Sequence, residues 1–169
     1  MSTVILPCDV TSAAYKAGAA AFPESTNIAG TNGPVRGMAF NDSAQEDLYF
    51  DIVLGNFGAS NTVLTATFQW YSRTGATTGA ADWGCDLARI ATGTSVEAVS
   101  FATTVHSAST VSATAKGGAT LAITTVVLPA SLATNDGVFV HIYRNGAAAG
   151  DTLVGDAVLA RFFLSYSDS

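Results

Sequence analysis

Charge is scarce in this chain of 169 residues: 12% of it is Asp, Glu, Lys or Arg, about half the roughly 25% of an ordinary soluble domain. The seven cations, Lys16, Arg36, Arg73, Arg89, Lys116, Arg144 and Arg161, are scattered. They form no basic stripe, so the electrostatic footprint of nucleic-acid binding is missing. A net charge of −6 and a pI near 4.5 point the same way. Cys8 and Cys85 are the only cysteines. They allow one disulfide or two small buried hydrophobes, the second being the preferred reading. Neither has a His beside it in sequence to generate a nucleophilic thiolate. No run approaches the roughly 18 apolar residues of a membrane-crossing helix. The opening MSTVILPCDV lacks the basic residues and the small-residue cleavage site of a secretory signal. Synthesis in the cytoplasm and no membrane partner are expected. GxSxG, HExxH, P-loop and CxxC motifs do not occur, and the 13 carboxylates single out no catalytic dyad. The expectation is a protein that is not an enzyme and takes no cofactor or metal.

Nearly half the chain, 49%, is apolar. With so few charges, its surface must be built of Ser, Thr, Ala and Gly, which defend poorly against association. Part of that surface is expected to be covered by a partner or by copies of the chain. The apolar residues alternate. In TVLTATFQWY, Leu64, Ala66, Phe68 and Trp70 share a face. In EDLYFDIVLG, Leu48, Phe50, Ile52 and Leu54 alternate with Asp47, Tyr49 and Asp51. In ATLAITTVVL, Leu121, Ile123 and Val127 share a face. Period 2 with β-branched and aromatic enrichment predicts half-buried strands. The same logic predicts strands at Val35–Asn41, Trp83–Ala91, Val99–Thr103, Thr110–Ala115, Val138–Arg144 and Ala157–Tyr166. Turn-forming residues at 30–34, 56–61, 73–82, 116–118 and 134–137 separate them. This pattern predicts an all-β fold, an antiparallel sandwich or barrel. Helix signals are few: an Ala-rich Thr11–Phe22 with an N-cap at Thr11 or Ser12, and one turn within Pro129–Asp136. Residues 1–34 read as a partly extended N-terminal arm, and 35–169 as the β domain.

Candidate functional residues lie on strand faces and around loops. His141 alternates with Phe139 and Tyr143, and Arg161 with Leu159 and Phe163. Each set reads either as a ligand or subunit face or as plain sandwich exterior. Trp70, Tyr71 and Trp83 flank the Gly/Thr loop 73–82, where aromatic rings can hold a sugar. Trp70 is in phase with the apolar face and reads as core. Packing is also the preferred reading for Trp83, at the opening of the next strand. The candidates are therefore Tyr71, Trp83, His141, Tyr143 and Arg161. His106, in the polar TTVHSAST, reads as an exposed edge histidine. The loop NGAAAGDTLVGDA offers Asp151 and Asp156. A Ca²⁺ site needs more oxygen ligands, and Gly-Asp pairs form turns, so a strand connection is expected.

From about residue 46 to residue 166, the succession of strands and turns resembles small jelly-roll virion proteins of tailed bacteriophages. The matching residues are Tyr143-Arg144, then Asp151-Thr152-Leu153, then the final apolar strand Val158–Tyr166. The resemblance implies an antiparallel jelly-roll β-sandwich without catalytic residues. It implies one of two settings. The first is a capsid decoration (cement) protein, a homotrimer on the outer surface of the virion that bridges subunits of the major capsid protein. The second is a receptor-binding or carbohydrate-binding module of a tail fibre or baseplate. An initiating Met, the absence of a shaft and the low charge favour decoration as the expectation.

Overall fold

The computed structural model describes residues 2–15, 22–30, 33–54, 63–91, 93, 95, 99–101, 104–129, 132 and 136–168. Ten strands account for most of them: β1 Ser2–Cys8, β2 Glu24–Ile28, β3 Val35–Phe40, β4 Gln45–Val53, β5 Val63–Ser72, β6 Ala80–Ile90, β7 Val105–Thr110, β8 Ala119–Val127, β9 Gly137–Asn145 and β10 Ala157–Asp168. They form two antiparallel sheets. One has four strands in the order β4-β9-β6-β7. The other has six, β2-β3-β10-β5-β8, with β1 also paired to β10. The predicted all-β, jelly-roll-like sandwich is the observed architecture.

β10 organises the six-stranded sheet. Its start pairs with β3 through Ala157–Leu159, and its continuation pairs with β1 from Cys8↔Phe162 to Ser2↔Asp168. Two strands therefore share one side of β10 in succession. Of the segment read as an arm, Ser2–Cys8 and Glu24–Ile28 are thus sheet strands. Alternation along each strand sends one set of side chains between the sheets. Phe40, Phe68, Trp70, Trp83, Ile142 and Phe162 form the centre, each at most 1% exposed. Trp83 packs edge-on against Phe40 (5.1 Å) and stacks with Phe68 (5.5 Å). Removing side chains of this size from water is the principal force closing the sandwich. Cys8 and Cys85 are free and buried, and burial raises both thiol pKa values.

Two bulges displace what strict alternation predicts. Leu64 faces Val126 and Ala66 faces Ile123, so Thr124 and Thr125 on β8 oppose the single Thr65. The extra residue inverts the phase: Val126 is buried at 1% and Val127 is 41% exposed, the reverse of the expected facing of Val127. On β10 the pairing slips between Leu159 and Arg161. Leu159 and Phe162 point inward, and Arg161 is exposed. Leu159 and Arg161 therefore do not share a face.

The strand expected at Thr110–Ala115 lies earlier, at Val105–Thr110. Pairing with β6 ends at Ala80↔Thr110, and Val111 then turns inward, donating its N–H to Gly79 O (3.0 Å). Of the expected Val99–Thr103 strand, residues 99–101 are not extended in a sheet and the remainder lies outside the described residues. The predicted helix over Thr11–Phe22 is one 3-10 turn, Val10–Ser12. Its cap is Asp9, which accepts from Thr11 N (2.9 Å) and Thr11 Oγ1 (2.7 Å). The chain then extends, and Ala14 bridges to Tyr49 on β4. Residues 16–21, the turn within Pro129–Asp136 and the 56–61 turn lie wholly or largely outside the described residues.

Candidate functional site

The outer face of the four-stranded sheet carries a cleft of about 550 Å³. Register across the sheet builds it. Tyr49, His141 and Asp86 form one row across β4, β9 and β6. Asp47, Tyr143 and Gly84 form the next, and Asp51, Phe139 and Ala88 the third. These are the residues out of phase with Leu48, Val140, Ile142 and Leu87, so the alternation that packs the core lays them on the outside. The Ala14 bridge, with reciprocal N–H···O bonds to Tyr49 of 2.9 and 3.0 Å, brings Ala14 and Tyr15 to one rim. Val99, Phe101 and Thr104 close the other side.

The aromatic rings form a stacked cluster. Tyr49 stacks on His141 at 4.7 Å and 11°, and on Phe139 at 5.5 Å and 19°. Phe101 stands 5.8 Å from Phe139 and 5.3 Å from His141. Tyr143 continues the row at 5.2 Å from His141. Gly84 makes room for it, because a Cβ at that position would overlap the Tyr143 ring. A glycine inside a strand often marks a close approach of this kind.

His141 is 9% exposed and clamped between two carboxylates. Nε2 lies 2.8 Å from Asp47 Oδ1, and Nδ1 lies 3.2 Å from Asp86 Oδ2. Burial alone would lower its pKa. The hydrogen bonds to Asp47 and Asp86, with their charges, outweigh that and raise it, which favours the imidazolium that donates to both. Gln45 Nε2 donates to Asp47 Oδ1 (2.8 Å), and Thr104 Oγ1 to Asp86 Oδ2 (3.3 Å). Burial first, and the same two carboxylates second, raise the Tyr49 hydroxyl. Burial likewise raises Tyr143, with Asp86 the leading charge. Asp47 and Asp86 sit on opposite nitrogens of one ring and do not converge. Among the described residues no group of three His, Cys, Asp or Glu is arranged to hold a metal.

The five candidates from sequence separate. His141 and Tyr143 stand side by side in the cleft. Tyr71 and Arg161 belong to β5 and β10 of the other sheet; Tyr71 packs against Ile28, Ala39 and Val158 there. Trp83 is fully buried in the core, because the inward phase of β6 runs Trp83, Cys85, Leu87. Sequence reasoning missed Asp47, Asp86 and Phe101, and passed over Tyr49 as an ordinary outer-face residue. The usable signal was the Asp-Tyr-Asp alternation opposite an apolar face, together with Gly84 in mid-strand.

His106 is an exposed histidine of the edge strand β7, as expected, and its Nδ1 lies 3.1 Å from both oxygens of Asp82. The acidic loop after β9 is structural. Arg144, fully buried, uses all five of its donor hydrogens. Nε and Nη2 meet Asp151 Oδ2 and Oδ1, each at 2.8 Å. The remaining bonds go to Phe40 O (2.9 Å), Gly155 O (3.0 Å) and Leu153 O (3.0 Å). Asp156 pairs with Arg73 at 2.6 Å. Both loop carboxylates are committed to arginines, so the loop is a strand connection, as expected.

No family model matches the chain, and no curated protein matches it. Among solved structures, it is similar to the family 11 carbohydrate-binding module of Clostridium thermocellum, solved in complex with a β-1,3-1,4-mixed-linked tetrasaccharide. The TM-score is 0.51 at 13% identity, over 95% of this chain and 94% of that one. It also matches CBM27-1 of Caldicellulosiruptor saccharolyticus, solved with mannohexaose, at TM-score 0.44 and 11% identity, over 96% of each chain. The first likeness establishes a shared β-sandwich fold. Neither ties the chain to phage virions.

Proposed function

We propose that this protein binds carbohydrate through the cleft on its four-stranded sheet. The observation that carries this reading is the cluster of Tyr49, Phe139 and His141, their rings stacked nearly parallel and set among Asp47, Asp86 and Gln45. A pyranose ring has an apolar C–H face and an equatorial rim of hydroxyls. It needs an aromatic plane for the first and carboxylate or amide acceptors for the second. The cleft supplies both within one concavity. Of the two settings implied by the jelly-roll resemblance, capsid decoration and glycan recognition, the cleft favours the second. The similar fold of a module solved with a bound tetrasaccharide supports it. The reading is one of binding without turnover, since both carboxylates of the cleft are hydrogen-bonded to His141.

Affinity gel electrophoresis through a panel of neutral, amino and acidic polysaccharides tests it. At least one polymer is expected to retard the protein. Tyr49→Ala is expected to weaken that retention by about tenfold or more, roughly 1.4 kcal/mol for one lost stacking plane, with the fold intact by circular dichroism. Unretarded migration through the whole panel would refute the reading.

A further inference from the structure

The rings of Tyr49, Phe139 and His141 are stacked on one another, so each covers part of its neighbour. A sugar that packs by its C–H face is served best by a ring whose face is still open to water. Among the described residues only two aromatic side chains are exposed, Tyr15 at 46% and Phe22 at 55%. They stand together, their centroids 5.3 Å apart and their planes tilted by 49°. Tyr15 lines the cleft.

The backbone explains why Tyr15 is there. Ala14 and Tyr49 exchange N–H···O bonds of 2.9 and 3.0 Å. They lash the segment that follows the 3-10 turn to β4, the outer strand of the four-stranded sheet. Tyr15 is the next residue, so the bridge sets its place while its ring stays outside the sandwich core. Phe22 leans against that ring at a tilt, which supports it without covering it. A ring already held in position loses little freedom on binding, and Tyr has few rotatable bonds to lose. Two large rings left side by side in water mark a surface that a partner covers. The shape of the site selects the partner. Tyr15 belongs to the wall of a concavity of about 550 Å³, within the roughly 300–1,000 Å³ of small-ligand sites, and not to a flat patch that suits another protein.

We propose that Tyr15, buttressed by Phe22, is the stacking wall of the cleft, the ring on which the C–H face of a bound sugar lies. This rests on the carbohydrate reading above.

The test runs the intact chain and four variants through the same polysaccharide gels, with folding checked by circular dichroism. On each polymer that retards the unmodified protein, Tyr15→Ala is expected to weaken retention by about tenfold. Tyr15→Phe keeps the ring plane and is expected to retain binding. Phe22→Ala removes only the buttress and is expected to weaken retention less than Tyr15→Ala. Ile5→Ala, which trims an exposed apolar side chain of the other sheet, is expected to change nothing. A second measurement needs no variant. Tetranitromethane nitrates accessible tyrosines, and Tyr15 is the exposed one among those described; a retarding polymer is expected to protect it, as read by peptide mass. The proposal is overturned if folded Tyr15→Ala is retained like the unmodified protein, if Tyr15→Phe or Ile5→Ala loses as much as Tyr15→Ala, or if the polymer leaves nitration of Tyr15 unchanged. In each of those cases the polymers still retard the protein, so the stacking wall falls and carbohydrate binding stands. If the whole panel is silent, both fall.

Discussion

Tyr143 can lie down on the sheet only because position 84 has no side chain. In Gly84→Ala the new methyl group and the ring cannot both keep their places, and the ring is the more movable of the two. The expected result is therefore displacement of Tyr143 from the cleft, with a stability loss of about 1–3 kcal/mol from overpacking and a weakening of the glycan binding proposed for the cleft. Denaturant unfolding and the affinity gels read the two separately. His141 yields a pH prediction. It is faced by Asp47 and Tyr49 of β4, Asp86 of β6 and Tyr143 of its own strand, with Phe101 and Thr104 beyond. Its folded pKa is raised above the ordinary 6.5. The stability it contributes is thus fully present below that value and is lost as pH rises through the raised folded pKa. Melting temperature measured from mildly acidic to alkaline pH is expected to fall across that window, and His141→Gln to flatten the fall. Alternation in sequence made the Phe139-His141-Tyr143 face legible. The clamp was not legible, because Asp47 and Asp86 lie 94 and 55 residues from His141 along the chain. Nothing local distinguishes a carboxylate aimed at an imidazole from one aimed at water.

At the scale of elements, strand existence was legible and strand phase was not always so. β3, β4, β5, β9 and β10 lie where period-2 patterns place them. The misplaced facings of Val127 and Leu159 both follow from single-residue bulges, and a bulge leaves no mark on a hydropathy pattern. β7 was displaced by five residues because its Ser- and Ala-rich sequence at an edge carries little apolar alternation. The connection between β9 and β10 is an ordered clasp. Arg144 and the Asp151 carboxylate hold each other at 0% and 1% side-chain exposure, and Asp151 also accepts from Asp82 N at 3.0 Å. Asp151→Ala leaves a buried guanidinium without its counter-charge. A loss of about 3–5 kcal/mol is expected, read as a lower denaturant midpoint. The Tyr143-Arg144 and Asp151-Thr152-Leu153 pattern behind the jelly-roll resemblance is thus a folding device, so it speaks to the fold and not to the setting.

The whole molecule divides its labour between two walls. The four-stranded sheet presents the cleft, and the six-stranded sheet carries Tyr71 and Arg161 on β5 and β10. That division was not visible in the sequence, since strands interleave between sheets and the candidate residues of both walls look alike. The β1–β10 ladder closes the six-stranded wall with Ser2 opposite Asp168, about 5 Å apart across a strand pair. The ends of the described chain therefore meet at one corner of the sheet that does not bear the cleft. Topologically the sandwich is nearly a ring. A short flexible linker joining those ends, with new ends opened at the 112–118 turn between β7 and β8, is expected to give a circular permutant that folds with the cleft intact. By the same geometry the domain can be spliced into a loop of a host protein as a guest, entering and leaving through one point with its cleft facing away from the seam.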